Sequence, residues 1–125
     1  MREFALVAMG GAIGACLRHM VSVAAVRLFG AAFPWGTLGV NIVGSLVMGV
    51  VVELLARRVG SSHELRLFLA TGILGGFTTF SAFSLDVAML WERGDAGYAL
   101  AYVMASVALS VGALFAGLWL VRAIA

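Results

Sequence analysis

Four apolar runs divide this chain, at about residues 4–29, 37–55, 65–90 and 98–124, with only short polar stretches between them. Each run reaches the ~17–25 residues that a helix needs to cross a bilayer. None alternates with a period of two, as the wall of a membrane barrel would. The breakers collect between the runs: Gly30, Pro34 and Gly36 in the first connection, residues 57–64 in the second and 92–97 in the third. Trp35, Trp91 and Trp119 fall near run ends, where interfacial aromatics sit. The pattern predicts an all-α membrane protein, residues 1–125 forming one four-helix transmembrane domain with no room for a soluble one.

The third run departs from the others. Residues 72–83 read Gly-Ile-Leu-Gly-Gly-Phe-Thr-Thr-Phe-Ser-Ala-Phe, with three glycines, three hydroxyl residues and three phenylalanines, and no charge. A helix that only anchored would carry leucine, valine and isoleucine there. Glycine and threonine at membrane depth predict a third helix interrupted mid-membrane. Such a break survives only where freed carbonyls face protein, water or an ion.

Composition strengthens the membrane assignment. The chain is 63% hydrophobic and 11% charged, with mean hydropathy +1.11. A soluble domain of this size buries only about 60–70% of its unfolded surface and could not hide so much apolar area. The positive charge comes from eight arginines and no lysine. They gather near helix ends, as topology signals rather than a nucleic-acid stripe. Met1-Arg2 before an apolar run resembles a signal peptide, but the run continues past Arg18 and His19, too long for a removed segment. Cys16 is alone, so there is no internal disulfide, and it is expected to be a packed small residue.

Four spans put both termini on one side. That side holds Arg2, Arg57, Arg58, Arg66 and Arg122, and the other holds Arg18, Arg27 and Arg93. So small a bias allows insertion in both orientations, or in a single one set by Arg57 and Arg58. Small residues four apart, at Gly10 and Gly14, at Gly72 and Gly76, and at Ala113 and Gly117, let helix backbones approach.

Several side chains could carry function. Asn41 must find partners in lipid, through either an interhelical bond or a place in a pore. Tyr102, Ser106 and Ser110 recur every four residues, so their hydroxyls share one helix face, as packing residues or as a polar track. Phe77, Phe80 and Phe83 are three apart and are expected on a common face. They either pack or offer positive ring edges to an anion. The central parts of spans two to four hold no Asp, Glu, Lys or His. Asp86 lies towards a pore mouth, and Arg18 faces protein or a water-filled vestibule. No nucleophile–base pair or metal-ligand cluster is present, so an enzyme is not expected. A small dual-topology multidrug exporter would need an embedded carboxylate in the first span, where Glu3 stands only at the very end. A non-transporting assembly subunit would tolerate loss of the polar track.

Three stretches together resemble the bacterial fluoride channels of the Fluc/CrcB family. They are Gly10-Gly11-Ala12-Ile13-Gly14-Ala15 with Arg18, then Gly36-Thr37-Leu38 with Val40-Asn41, then the run from Gly75 to Phe83. The serine pair of span four also fits. The resemblance implies an antiparallel, dual-topology homodimer with two pores, passively exporting fluoride across the bacterial inner membrane. By the same resemblance, Asn41, Phe80, Phe83, Tyr102, Ser106 and Ser110 line the pore. Backbone carbonyls of Gly75 and Thr78 from both subunits hold a structural Na⁺. Arg18 matches a basic residue at the end of the first span. Ala82, where a threonine is usual, and Gly39, often a larger residue, depart from the pattern. Fluoride suits these residues: it is strongly hydrated, and neutral donors can replace its water without binding it too tightly to leave.

Overall fold

The structure, a computed structural model, describes residues 1–58, 60 and 62–124; the connection expected at residues 57–64 lies partly outside them. Helix α1 spans Arg2–Phe29 and stops at Gly30, whose φ of +80° suits a residue without a side chain. Helix α2 spans Trp35–Arg57. The third passage is built from pieces. A short helix α3 (His63–Arg66) is capped by Ser62, whose hydroxyl accepts from the Leu65 N–H. A π-helical stretch follows over Leu67–Leu74, then a single turn α4 (Gly75–Phe77). Thr78 and Thr79 are extended, with ψ of 160° and 125°. Helix α5 (Phe80–Glu92) resumes, and α6 (Ala96–Ile124) closes the chain.

No strand occurs among the described residues. Four stretches are long and apolar enough to cross a membrane: Arg2–Phe29, Trp35–Arg57, His63–Glu92 and Ala96–Ile124. The break at Thr78 and Thr79 falls at the centre of the third, 30 residues long.

Glycines decide which helices touch. A Cβ on Gly10 would lie 2.6 Å from the Phe68 carbonyl oxygen and 2.9 Å from the Gly72 Cα. One on Gly14 would overlap the Ile73 carbonyl, and one on Gly76 would lie 2.6 Å from the Gly11 carbonyl. The α1 backbone therefore rests directly on the π-helical stretch and α4. Helices α2 and α6 meet the same way, but Gly117 pairs with Gly49, a residue the small-residue spacing overlooked. The buried cluster of Leu38, Phe83, Leu90, Ala99 and Tyr102 lies between α2, α5 and α6.

At the other end of those helices, Glu53 accepts from both Arg57 and Arg122, tying α2 to α6. Arg2 donates to Glu64 across the α1–α3 contact. Much apolar surface remains outside, including Met9, Ile13, Leu17 and Met20 on α1. Cys16 is exposed on this outer side rather than packed. It lies two residues, about 200° around the helix, from Gly14, so the glycine seam turns it away from the bundle.

Candidate functional site

Asn41 organises the break. Its Nδ2 donates to the Thr79 carbonyl at 3.0 Å, and its Oδ1 accepts from the Thr79 N–H at 2.8 Å. The interhelical bond expected of a membrane asparagine therefore exists, and it grips backbone rather than a side chain. Thr79 in turn caps α5 through its hydroxyl, which accepts from the Ala82 N–H at 3.1 Å. Thr78 folds back, and both its N–H and its hydroxyl donate to the Leu74 carbonyl.

These bonds determine which carbonyls are released. In a continuous helix the Thr79 N–H would serve the Gly75 carbonyl, and the Ala82 N–H would serve that of Thr78. Both donors are engaged elsewhere, with Asn41 and with the Thr79 hydroxyl. The Gly76 carbonyl, which also lacks its helical donor, accepts from Arg18 Nε at 3.0 Å. Arg18 thus reaches from α1 to brace the end of α4. Gly75, Phe77 and Thr78 are left with carbonyl oxygens that could meet a hard cation.

Beside the break, between α2, α5 and α6, lies a cavity of about 370 Å³. Asn41, Phe80, Phe83, Ser106 and Ser110 all line it. No charged residue does. The Ser106 and Ser110 hydroxyls are buried and make no hydrogen bond among the described residues, although the Tyr102 hydroxyl lies near that of Ser106. A serine inside a helix ordinarily bonds the carbonyl four residues back, and neither does here. The rings of Phe80 and Phe83 stand 5.4 Å apart, tilted by 52°. They differ in setting: Phe83 is buried, whereas Phe80 is 77% exposed.

Not every expected neighbour joins this group. Phe77, Phe80 and Phe83 do not share one helical face, because the break separates α4 from α5. The Phe77 ring packs near Gly44 instead. Tyr102 is fully buried and does not line the cavity. Its ring packs against Phe83 and Phe33, and its hydroxyl donates to Asp86 Oδ2 at 3.0 Å. Asp86 faces a second cavity, of about 240 Å³, at the end of the bundle near Thr37 and Arg93. Tyr102 therefore stands between the two cavities.

Ser45 also lines the larger cavity and was not singled out in the sequence. It follows Asn41 by four residues, the same spacing that marked Ser106 and Ser110. Of the departures, Gly39 has open space where a side chain would begin, so a larger residue there would meet nothing in this chain.

Comparison with known proteins adds a consistent picture. A family model described as "CrcB-like protein, Camphor Resistance (CrcB)" matches residues 5–118. A protein of Chelativorans sp. (strain BNC1), named "Fluoride-specific ion channel FluC", is 64% identical over 124 residues, 99% of each chain. Proteins with the same name from Agrobacterium fabrum and Mesorhizobium japonicum are 58% and 56% identical, over 98% and 99% of each chain.

Proposed function

The chain belongs to the CrcB-like family, and from that premise we infer that it is a fluoride-specific ion channel. It is a multi-pass membrane protein that lets fluoride leave a bacterial cell passively across the inner membrane. The observation that carries this reading is the uncharged cavity in which two buried serine hydroxyls have no hydrogen bond. Buried polar groups are otherwise almost always paired. Hydroxyls left with a proton to donate are what a small anion needs on losing its water.

The residues divide the task. Ser106 and Ser110 donate to the ion. Asn41 has one amide hydrogen committed to Thr79 and a second to offer, since its Nδ2 carries two. Bonding to Thr79 also fixes the amide's orientation. Phe80 and Phe83 present ring edges, which are weakly positive. Every contact is neutral, so the ion is held loosely enough to move on. Tyr102, held by Asp86, marks the passage towards the second cavity. This site offers no carboxylate to carry protons, as a multidrug exporter would require.

The channel is an antiparallel, dual-topology homodimer with two pores. The near balance of arginines between the two sides supports insertion both ways, and the exposed Phe80 ring supports a partner surface there. The break lies mid-membrane in this arrangement. Its released Gly75 and Thr78 carbonyls, from both subunits, would hold a structural Na⁺, which supplies positive charge and cross-links the two breaks. The fit rests on the diversion of the N–H groups that would otherwise take these oxygens. Purified protein in liposomes tests the function: fluoride efflux with chloride retained supports it, and equal passage of both ions or no flux contradicts it.

A further inference from the structure

We propose that Ser45 is a further fluoride-binding residue, a donor on the α2 wall of the cavity that adjoins the α6 wall carrying Ser106 and Ser110. The proposal rests on the channel reading above and deepens it.

Three observations carry it. Ser45 lines the cavity from α2, while Ser106 and Ser110 line it from α6. Its hydroxyl makes no hydrogen bond among the described residues, so it has not taken the usual escape to its own helix, at the Asn41 carbonyl. On the α6 wall, Ser106 is only 5% exposed, and its hydroxyl and that of Ser110 are likewise unpaired. Three hydroxyls around one uncharged space, none spent on protein, form a donor set rather than a packing seam.

Geometry explains why the second wall is needed. Residues four apart on a helix are separated by ~6 Å along its axis. Ser106 and Ser110 can share an ion only midway between them, along one side of it. Fluoride stripped of its water needs donors on its other flank as well. On α2, Asn41 and Ser45 are also one turn apart, so each wall offers two donors at matching spacing. Below Ser45 the lining turns apolar, at Met48 on α2 and Leu114 on α6. Ser45 is thus the last donor of its wall before that apolar end.

If Ser45 merely packs, alanine, smaller by one oxygen atom, should be tolerated. If it binds the ion, loss of a hydrogen bond to a charged partner weakens occupancy by about tenfold or more. The test is fluoride efflux from liposomes at limiting fluoride, for the wild type, Ser45→Ala and Ser45→Thr. Ser45→Ala should lower efflux about tenfold. Ser45→Thr, which keeps the hydroxyl, should return it to within about twofold of wild type. Chloride should remain inside in all three.

Wild-type efflux from Ser45→Ala would overturn the proposal while leaving the channel reading intact. Equal damage from alanine and threonine, or a Ser45→Ala protein that does not fold, would make Ser45 a packing residue and overturn it too. A wild-type protein that carries no fluoride would remove the channel reading and this proposal together.

Discussion

The third passage has two flanks, and they are built in opposite ways. On one flank, α1 lies against the π-helical stretch and α4 with glycine on both sides, backbone on backbone, and no space between. On the other, α2 touches the break at Gly44 and Asn41, and between α2, α5 and α6 a cavity lined by Asn41 and serines is left open. Each flank supplies one polar clasp to the break, Arg18 from the closed side and Asn41 from the open side. The contrast teaches that glycine and serine, both small, have different uses here. Glycine removes the space between helices. Serine keeps space and furnishes it with a donor.

The largest effects should come from filling the closed flank. Gly14→Val places carbon where the Ile73 carbonyl already sits, and backbone cannot yield as a flexible side chain would. The expected cost is ~3 kcal/mol or more, read as loss of the monodisperse protein on size-exclusion chromatography. Gly39→Ala is the control, because nothing lies within 4 Å of its Cβ position, and it should purify as the wild type does.

The open flank should respond in flux rather than folding. Phe83→Ile removes a ring edge at a buried site, and Asn41→Asp replaces the amide that can donate. Either should lower fluoride efflux about a hundredfold, while the protein still elutes as an assembled species. Unchanged flux would remove those residues from the path.

A smaller effect is expected at the clasp from the closed side. Arg18→Gln loses a charge-assisted bond to the Gly76 carbonyl, worth ~1.5–3 kcal/mol. Thermal unfolding in detergent should show a lowered midpoint. No change would mean that the break does not depend on Arg18. The smallest effect should come from Glu53→Gln, which weakens the arginine pairs joining α2 to α6 far from the cavity. Fluoride efflux should be unaltered, and any shift in melting should vanish at high salt.

The sequence revealed much of this organisation, and unevenly. Hydropathy alone marked four helices, because a span must be apolar over its whole length. Glycine and threonine within residues 72–83 marked a break, because neither serves a plain anchor. The small-residue spacing found the α1 seam at Gly10, Gly14, Gly72 and Gly76, where both partners carry the pattern. It missed Gly49, whose partner Gly117 was visible and which itself follows Ser45 by four residues, a spacing that was not counted.

Other contacts could not be read by counting. Helical periodicity placed Phe77 with Phe80 and Phe83, but the two extended threonines between Phe77 and Phe80 reset the register. The grip of Asn41 on the Thr79 backbone, the reach of Arg18 to Gly76 and the bond from Tyr102 to Asp86 all link distant segments. Such pairings arise from tertiary packing, which periodicity within one helix does not encode. Ser45 was within reach, since it repeats the four-residue spacing of the α6 serines. It was passed over because a lone serine after a glycine reads as a packing residue.

The proposed conduction of fluoride depends on unpaired neutral donors in an uncharged cavity. The most direct measurement compares fluoride and chloride efflux from liposomes holding either wild-type protein or the Ser106→Ala, Ser110→Ala double variant. Wild type should release fluoride and retain chloride, and the double variant should lose fluoride efflux about a hundredfold while still assembling. Undiminished fluoride efflux from the double variant would contradict that dependence.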